Sequence, residues 1–88
     1  MSAEPTSAPP AADRVLDIRG EVCPYTFVKT KLALEELALG QILEVVGDNP
    51  EGAENVPRSC AAHGHEVLGC ARAGDREWLL RVRKAREE

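Results

Sequence analysis

The chain is 88 residues long, 43% hydrophobic and 30% charged, an ordinary globular mixture with room for one small domain. A formal net charge of −4 and an aromatic content of 3% argue against a general nucleic-acid binder, which needs basic surface and stacking rings. No apolar run is long enough to span a bilayer, and so short a chain barely encloses its own core, which leaves a binding module, a carrier or a surface chemistry.

Residues 1–12 are Ala, Pro, Ser and Thr with one Glu, and read as a disordered leader; residues 13–86 read as a single domain. Leu16 and Ile18 alternate with charges from Arg14 to Arg19, the pattern of a half-buried strand that Gly20 ends. Pro24 has the fixed φ of a first helical residue, which makes Cys23 the expected N-cap of a helix running to about Ala38. Phe27, Leu34, Leu37 and Ala38 recur near helical spacing, and Gly40 supplies the stop. Ile42 to Val46 is apolar and β-branched, the composition of a central strand. Asp48-Asn49-Pro50 offers a cap and a helix start, but Pro57 deletes a helical hydrogen bond, so the regular second helix is expected from Pro57 to His63, ended by Gly64. His65 to Cys70 and Glu77 to Arg83 read as two strands about a turn near Gly74-Asp75, with Trp78, Leu80 and Val82 on one face. The order β-α-β-α-β-β predicts an α/β two-layer sandwich, a four-stranded mixed sheet carrying both helices on one face.

Cys23 is the residue best placed for chemistry. A thiol reacts as its thiolate, and a helix N-terminus stabilises that anion through its dipole and unpaired N–H groups. Arg19, Lys29 and Lys31 are near in sequence and could add positive potential. The competing reading makes Cys23 a small buried hydrophobe. An odd set of three cysteines and no basic-then-apolar N-terminal stretch point to a reducing cytoplasm.

The segment Leu16-Asp17-Ile18-Arg19-Gly20-Glu21-Val22-Cys23-Pro24-Tyr25 resembles the opening of the TusA/SirA/YedF family of small sulfur carriers. The likeness continues through Gly40 to Val46, Asp48-Asn49-Pro50, Asn55-Val56-Pro57 and Gly64-His65-Glu66-Val67. It implies a sulfurtransferase-type carrier that takes sulfane sulfur as a persulfide on Cys23. The partners it implies are a rhodanese- or desulfurase-like donor protein and an acceptor protein, without cofactor, metal, membrane or direct nucleic-acid contact. The family's C-P-x-P motif is altered here, because Thr26 replaces its second proline. Thr26 restores an N–H in the first turn that can point back at the capping sulfur, so thiolate formation is expected to survive, with nucleophilicity as the expected cost. Arg19, Pro24 and Thr26 are thus the supporting residues.

Cys60 shares a helical face with Val56 and His63, which favours burial; the alternative is a second thiol that pairs with Cys23. Cys70 reads as a core or edge residue. Cys60, His63, His65 and Cys70 are zinc ligand types at an unusual spacing, and no metal is expected. Arg72, Arg76, Arg81, Arg83, Lys84 and Arg86 form a locally basic end, either a solvated face or a docking patch for an acidic partner. Two further functional readings stay open: a non-catalytic interaction module on the same fold, and a dithiol redox protein using Cys23 with Cys60 or Cys70.

Overall fold

The computed structural model describes residues 12–22, 25–74 and 76–86. Nearly all of the expected leader, together with Cys23, Pro24 and Asp75, lies outside the described residues. The elements follow the expected order: β1 (Arg14–Asp17), α1 (Tyr25–Glu35), β2 (Ile42–Gly47), α2 (Pro50–Ala62), β3 (Glu66–Arg72) and β4 (Trp78–Arg83). The strands form one mixed sheet in the order β1-β2-β4-β3, with β1 parallel to β2 and β4 antiparallel to both β2 and β3.

Strand alternation builds the core. Leu43, Val45 and Gly47 on β2 lie opposite Val82, Leu80 and Trp78 on β4, so these six residues share the helix-covered face. Leu43, Val45, Leu80 and Val82 are fully buried, and Leu34 of α1 and Val56 and Cys60 of α2 close over them. Burial of each large aliphatic side chain contributes about 1.5–3 kcal/mol, so this layer supplies most of the drive to fold. On the other face Glu44 meets Arg81 across the strands, with Arg81 Nη2 and Glu44 Oε1 3.0 Å apart. Among the described residues, no helix is long and apolar enough to cross a membrane.

The second helix corrects the sequence expectation. It starts at Pro50, not Pro57, and runs through Pro57 to Ala62. Asn49 caps it, with extended backbone and a side-chain oxygen that accepts the Glu51 N–H at 2.8 Å, while Pro50 takes the position where no N–H is needed. Within the helix, Pro57 has no N–H to give the carbonyl of Ala53 four residues back. That carbonyl accepts instead from the Cys70 thiol of β3, at 3.8 Å. A weak S–H donor thus answers part of the lost bond, and tertiary packing overrides the local signal that a proline carries.

The other end of α1 is fixed by a buried lysine. Lys84 is 2% exposed, and its Nζ donates to the carbonyls of Leu37 at 2.7 Å and Glu35 at 3.4 Å. A cation on the last carbonyls answers both their unmet acceptors and the negative end of the helix dipole.

The single tryptophan needs space that only glycine leaves. A Cβ on Gly47 would stand 2.3 Å from Trp78 Cζ2, and one on Gly52 would stand 3.0 Å from the same atom. Gly47→Ala should therefore destabilise the fold by about 1–3 kcal/mol, as overpacked cores do. That corresponds to a fall in Tm of roughly 5–20 °C for a domain of this size. Gly69→Ala, where nothing lies within 4 Å, should move Tm by only about 2 °C in either direction. Thermal unfolding followed by circular dichroism checks both, and equal Tm values for wild type and Gly47→Ala would refute the wedge.

Candidate functional site

The β1–α1 connection leads into Cys23 and is pinned at several points. Ile18 is 1% exposed and its N–H continues the sheet to the Val46 carbonyl at 2.8 Å. Gly20 then turns the chain with φ +87°, a conformation that side-chain-bearing residues rarely adopt. Its N–H donates to Asp48 Oδ1 at 2.9 Å, which ties the connection to the end of β2. At the helix start, the Tyr25 N–H donates to the Val22 carbonyl at 2.8 Å.

Thr26 and Thr30 anchor α1 to the interior. Both are 1% exposed or less, and the Thr30 hydroxyl donates to the Thr26 carbonyl at 2.8 Å. Thr26 thus occupies the first turn of the helix with its side chain in the core, beside the Gly52–Trp78 contact.

Three cations near Cys23 in sequence are each engaged by carboxylates. Arg19 donates to Asp17 through Nη2 at 2.8 Å and to Glu77 through Nη1 at 3.0 Å. Lys29 pairs with Glu21 at 2.7 Å, and Lys31 pairs with Glu35 at the same distance. Their fields are therefore largely cancelled locally. What Arg19 does supply is a tether, because Glu77 belongs to the chain entering β4.

The basic end dissolves on folding. Arg81 pairs with Glu44, Arg83 with Glu66 at 2.9 Å, and Lys84 is buried on α1. Arg86 packs its methylenes where a Cβ on Gly64 would be, 2.6 Å away. The four zinc ligand types are likewise dispersed. Cys60 is fully buried, His63 stacks on Phe27 with ring centroids 5.1 Å apart, and His65 Nδ1 accepts the Ala85 N–H at 3.2 Å. Cys70 lies on the edge strand with its thiol turned toward α2, and partial burial pushes the thiol pKa up. Neither Cys60 nor Cys70 forms a disulfide among the described residues.

Two features escaped the sequence reading. Val22, in the connection before α1, and Tyr25, Val28 and Leu32, along α1, are all about half exposed. The excess of apolar residues around this helix is the one sequence signal for such a face. The other is a cavity beside Asp48 and Trp78, assembled from segments far apart in the chain.

The Arg19 guanidinium holds the Asp17 carboxyl down to about 2, against an ordinary 3.8, mainly by side-chain hydrogen bonding. A depressed carboxyl contributes above its unfolded pKa and loses that contribution as pH falls through the folded value, here between about pH 4 and 2. Arg19→Gln should return Asp17 to its ordinary range in a carboxyl-carbon NMR titration. An unmoved Asp17 midpoint would show that Arg19 is not the cause.

Comparison with known proteins agrees with the topology. The family profile described as Sulfurtransferase TusA matches residues 14–84. A "Putative sulfur carrier protein" of Archaeoglobus fulgidus is 48% identical over 84 residues, covering 96% of each chain. A relative of the same name in Thermotoga maritima is 43% identical over 70 residues, 80% of this chain and 89% of its own. A "Putative sulfur carrier protein YedF" of Escherichia coli K12 is 44% identical over 62 residues, 70% of this chain and 80% of its own. The crystal structure of a SirA-like protein from Desulfitobacterium hafniense superposes with a TM-score of 0.73 at 22% identity, covering 83% of this chain and 99% of that one, a likeness of fold. With a matching profile over most of its length and a 48%-identical relative across nearly all of it, the chain belongs to the TusA family of sulfur-carrier proteins.

Proposed function

We propose that this protein is a cytoplasmic sulfur carrier that holds sulfane sulfur as a persulfide on Cys23. The Cys23 thiolate attacks the outer sulfur of a donor persulfide, R–S–S–H. The donor S–S bond breaks, R–S⁻ leaves, and Cys23–S–S–H remains with its proton; an acceptor thiolate reverses the same exchange. No net oxidant or reductant is consumed, and neither a cofactor nor a metal takes part. The donor is a rhodanese- or desulfurase-like protein, and the apolar stripe from Val22 to Leu32 is the surface on which donor and acceptor would seat.

The observation that carries this reading is the Cys-Pro pair immediately ahead of α1, in a chain whose family relatives bear sulfur-carrier names. The Tyr25 N–H is already taken by Val22, so stabilisation of the sulfur anion falls to the amides that follow, beginning with Thr26. Two facts weigh against a dithiol mechanism. Cys60 is fully buried, and partial desolvation raises the pKa of the Cys70 thiol although the residue is exposed.

Incubation with a sulfane-sulfur donor followed by intact mass measurement should show a gain of one sulfur atom (about 32 Da, by the exchange above). Reductant should reverse it, Cys23→Ser should abolish it, and Cys70→Ser should leave it intact. A gain that survives in Cys23→Ser, or none with any competent donor, would overturn the proposal.

Replacing Thr26 by proline removes the proposed donor at a position where the family motif itself has proline. The alkylation midpoint of Cys23 should then rise along the pH axis while the far-UV spectrum is retained. An identical pH profile for both proteins would remove Thr26 from the site.

A further inference from the structure

A cavity of about 240 Å³ opens between the start of α2 and the β3–β4 hairpin, lined by Asp48, Pro50, Arg72, Arg76, Glu77 and Trp78. It widens into a shallower depression that shares Asp48, Arg76 and Glu77 with Gly74. The indole and the proline ring make an apolar floor, and the indole is held still because its Nε1–H donates to the Asn49 carbonyl at 2.8 Å. Two carboxylates and two guanidiniums stand around the mouth.

These charges are unequally committed. Glu77 Oε2 receives Arg19, and Asp48 Oδ1 receives the Gly20 N–H, which leaves Oδ2 of Asp48 as an open acceptor among the described residues. Arg72 is engaged within the protein. Arg76 has no carboxylate partner among the described residues, in contrast to Arg14, Arg19, Arg81 and Arg83. The mouth therefore offers one open anionic acceptor and one open planar cation above an apolar floor.

We propose that this cavity binds a small zwitterionic aminothiol or its persulfide, of amino-acid size, and delivers its sulfane sulfur to Cys23. The inference rests on the carrier reading above and adds a small-molecule donor to the protein donor named there. A carboxylate matches the Arg76 guanidinium, an ammonium matches Asp48 Oδ2, and a short apolar stem lies over Trp78. Among the described lining residues, Asp48 and Glu77 disfavour a polyanion such as thiosulfate, which would meet both carboxylates at the same opening. The volume of about 240 Å³ over the Trp78 floor suits a ligand of amino-acid size.

The cavity is wired to the sulfur. Asp48 grips Gly20 and Glu77 grips Arg19, and only Glu21 and Val22 lie between Gly20 and Cys23, a reach of at most about 11 Å. In the transfer, the Cys23 thiolate takes the outer sulfur of R–S–S–H with its proton, and the aminothiol departs as R–S⁻. Atoms and charge balance without a further reactant.

The tests separate binding from carriage. Trp78 is the only tryptophan in the chain, so its emission reports on the cavity floor. Titration with S-methyl-L-cysteine, which cannot donate sulfur, should give a saturable change in emission that weakens roughly tenfold or more in Arg76→Gln, as loss of a charge-assisted bond predicts. Asp48→Asn keeps an acceptor for Gly20 while removing the negative charge, and should weaken binding in the same way. In sulfur loading read by intact mass, cysteine hydropersulfide should saturate and slow in Arg76→Gln, whereas an uncharged alkyl hydropersulfide should load both proteins equally. No saturable emission change, a larger response to thiosulfate, or a response only to a dipeptide would overturn the assignment, the last in favour of a protein segment. Equal loading by the cysteine and alkyl donors would overturn the cavity's role and leave Cys23 carriage standing; failure of every donor to load Cys23 would overturn both.

Discussion

The contact on which the functional end of this protein depends is the wedge of Trp78 between two glycines. Its indole lies against Gly47, where β2 ends, and against Gly52, in the first turns of α2, and its N–H donates to the carbonyl of the α2 N-cap residue Asn49. A Cβ on Gly52 would also approach Thr26 Cγ2, 3.8 Å away, so the first turn of α1 closes the same cluster. One side chain therefore sets the spacing of β2, β4 and both helix starts. Each of those elements positions a part of the site: β2 leads to Asp48, α1 follows Cys23, and β4 is entered through Glu77. Because packed interiors tolerate little change of volume, displacing this ring would shift all of them together.

Electrostatics adds direction to that frame more than it adds stability. Exposed ion pairs contribute roughly 0–1 kcal/mol each, well below the burial of one large aliphatic side chain. Their arrangement matters more than their number. The Arg81–Glu44 and Arg83–Glu66 pairs sit on register partners of adjacent strands, and Lys84 spends its charge inside the fold on the end of α1. An acidic protein that neutralises its cations so thoroughly leaves few of them to face solvent alone, and Arg76 at the mouth of the Trp78 cavity is one.

The sequence was legible where structure is local. Alternation identified the strands, Asn49-Pro50 marked a helix cap, and the order of elements implied the two-layer sheet that the SirA-like structure shares. It was illegible where partners lie far apart in the chain. Pro57 signals a helix break to its neighbours, but Ala53 meets Cys70, seventeen residues away, and the helix continues through the proline. The C-terminal arginines look like a patch because their carboxylates, Glu44 and Glu66, arrive only through cross-strand register. The cavity was hidden for the same reason, since Asp48 and Arg76 meet only after β3 and β4 have paired.

These long-range contacts also explain how a shallow site can be ordered in so small a protein. Arg19, Gly20 and Val22 of the connection between β1 and α1 are exposed among the described residues, so their geometry must be imposed from below and from the sides. Asp48 holds the Gly20 amide from the β2 end, Glu77 holds the Arg19 guanidinium from the β4 end, and buried Ile18 and Thr26 bracket the connection on the core side. Both carboxylates act at a distance of a few residues from Cys23 and both line the same cavity. A molecule bound there, as proposed above, would press on the two groups that hold Arg19 and Gly20, the stretch of chain that leads to Cys23. On that reading, this coupling would stand in for enclosure in a chain too small to bury a ligand.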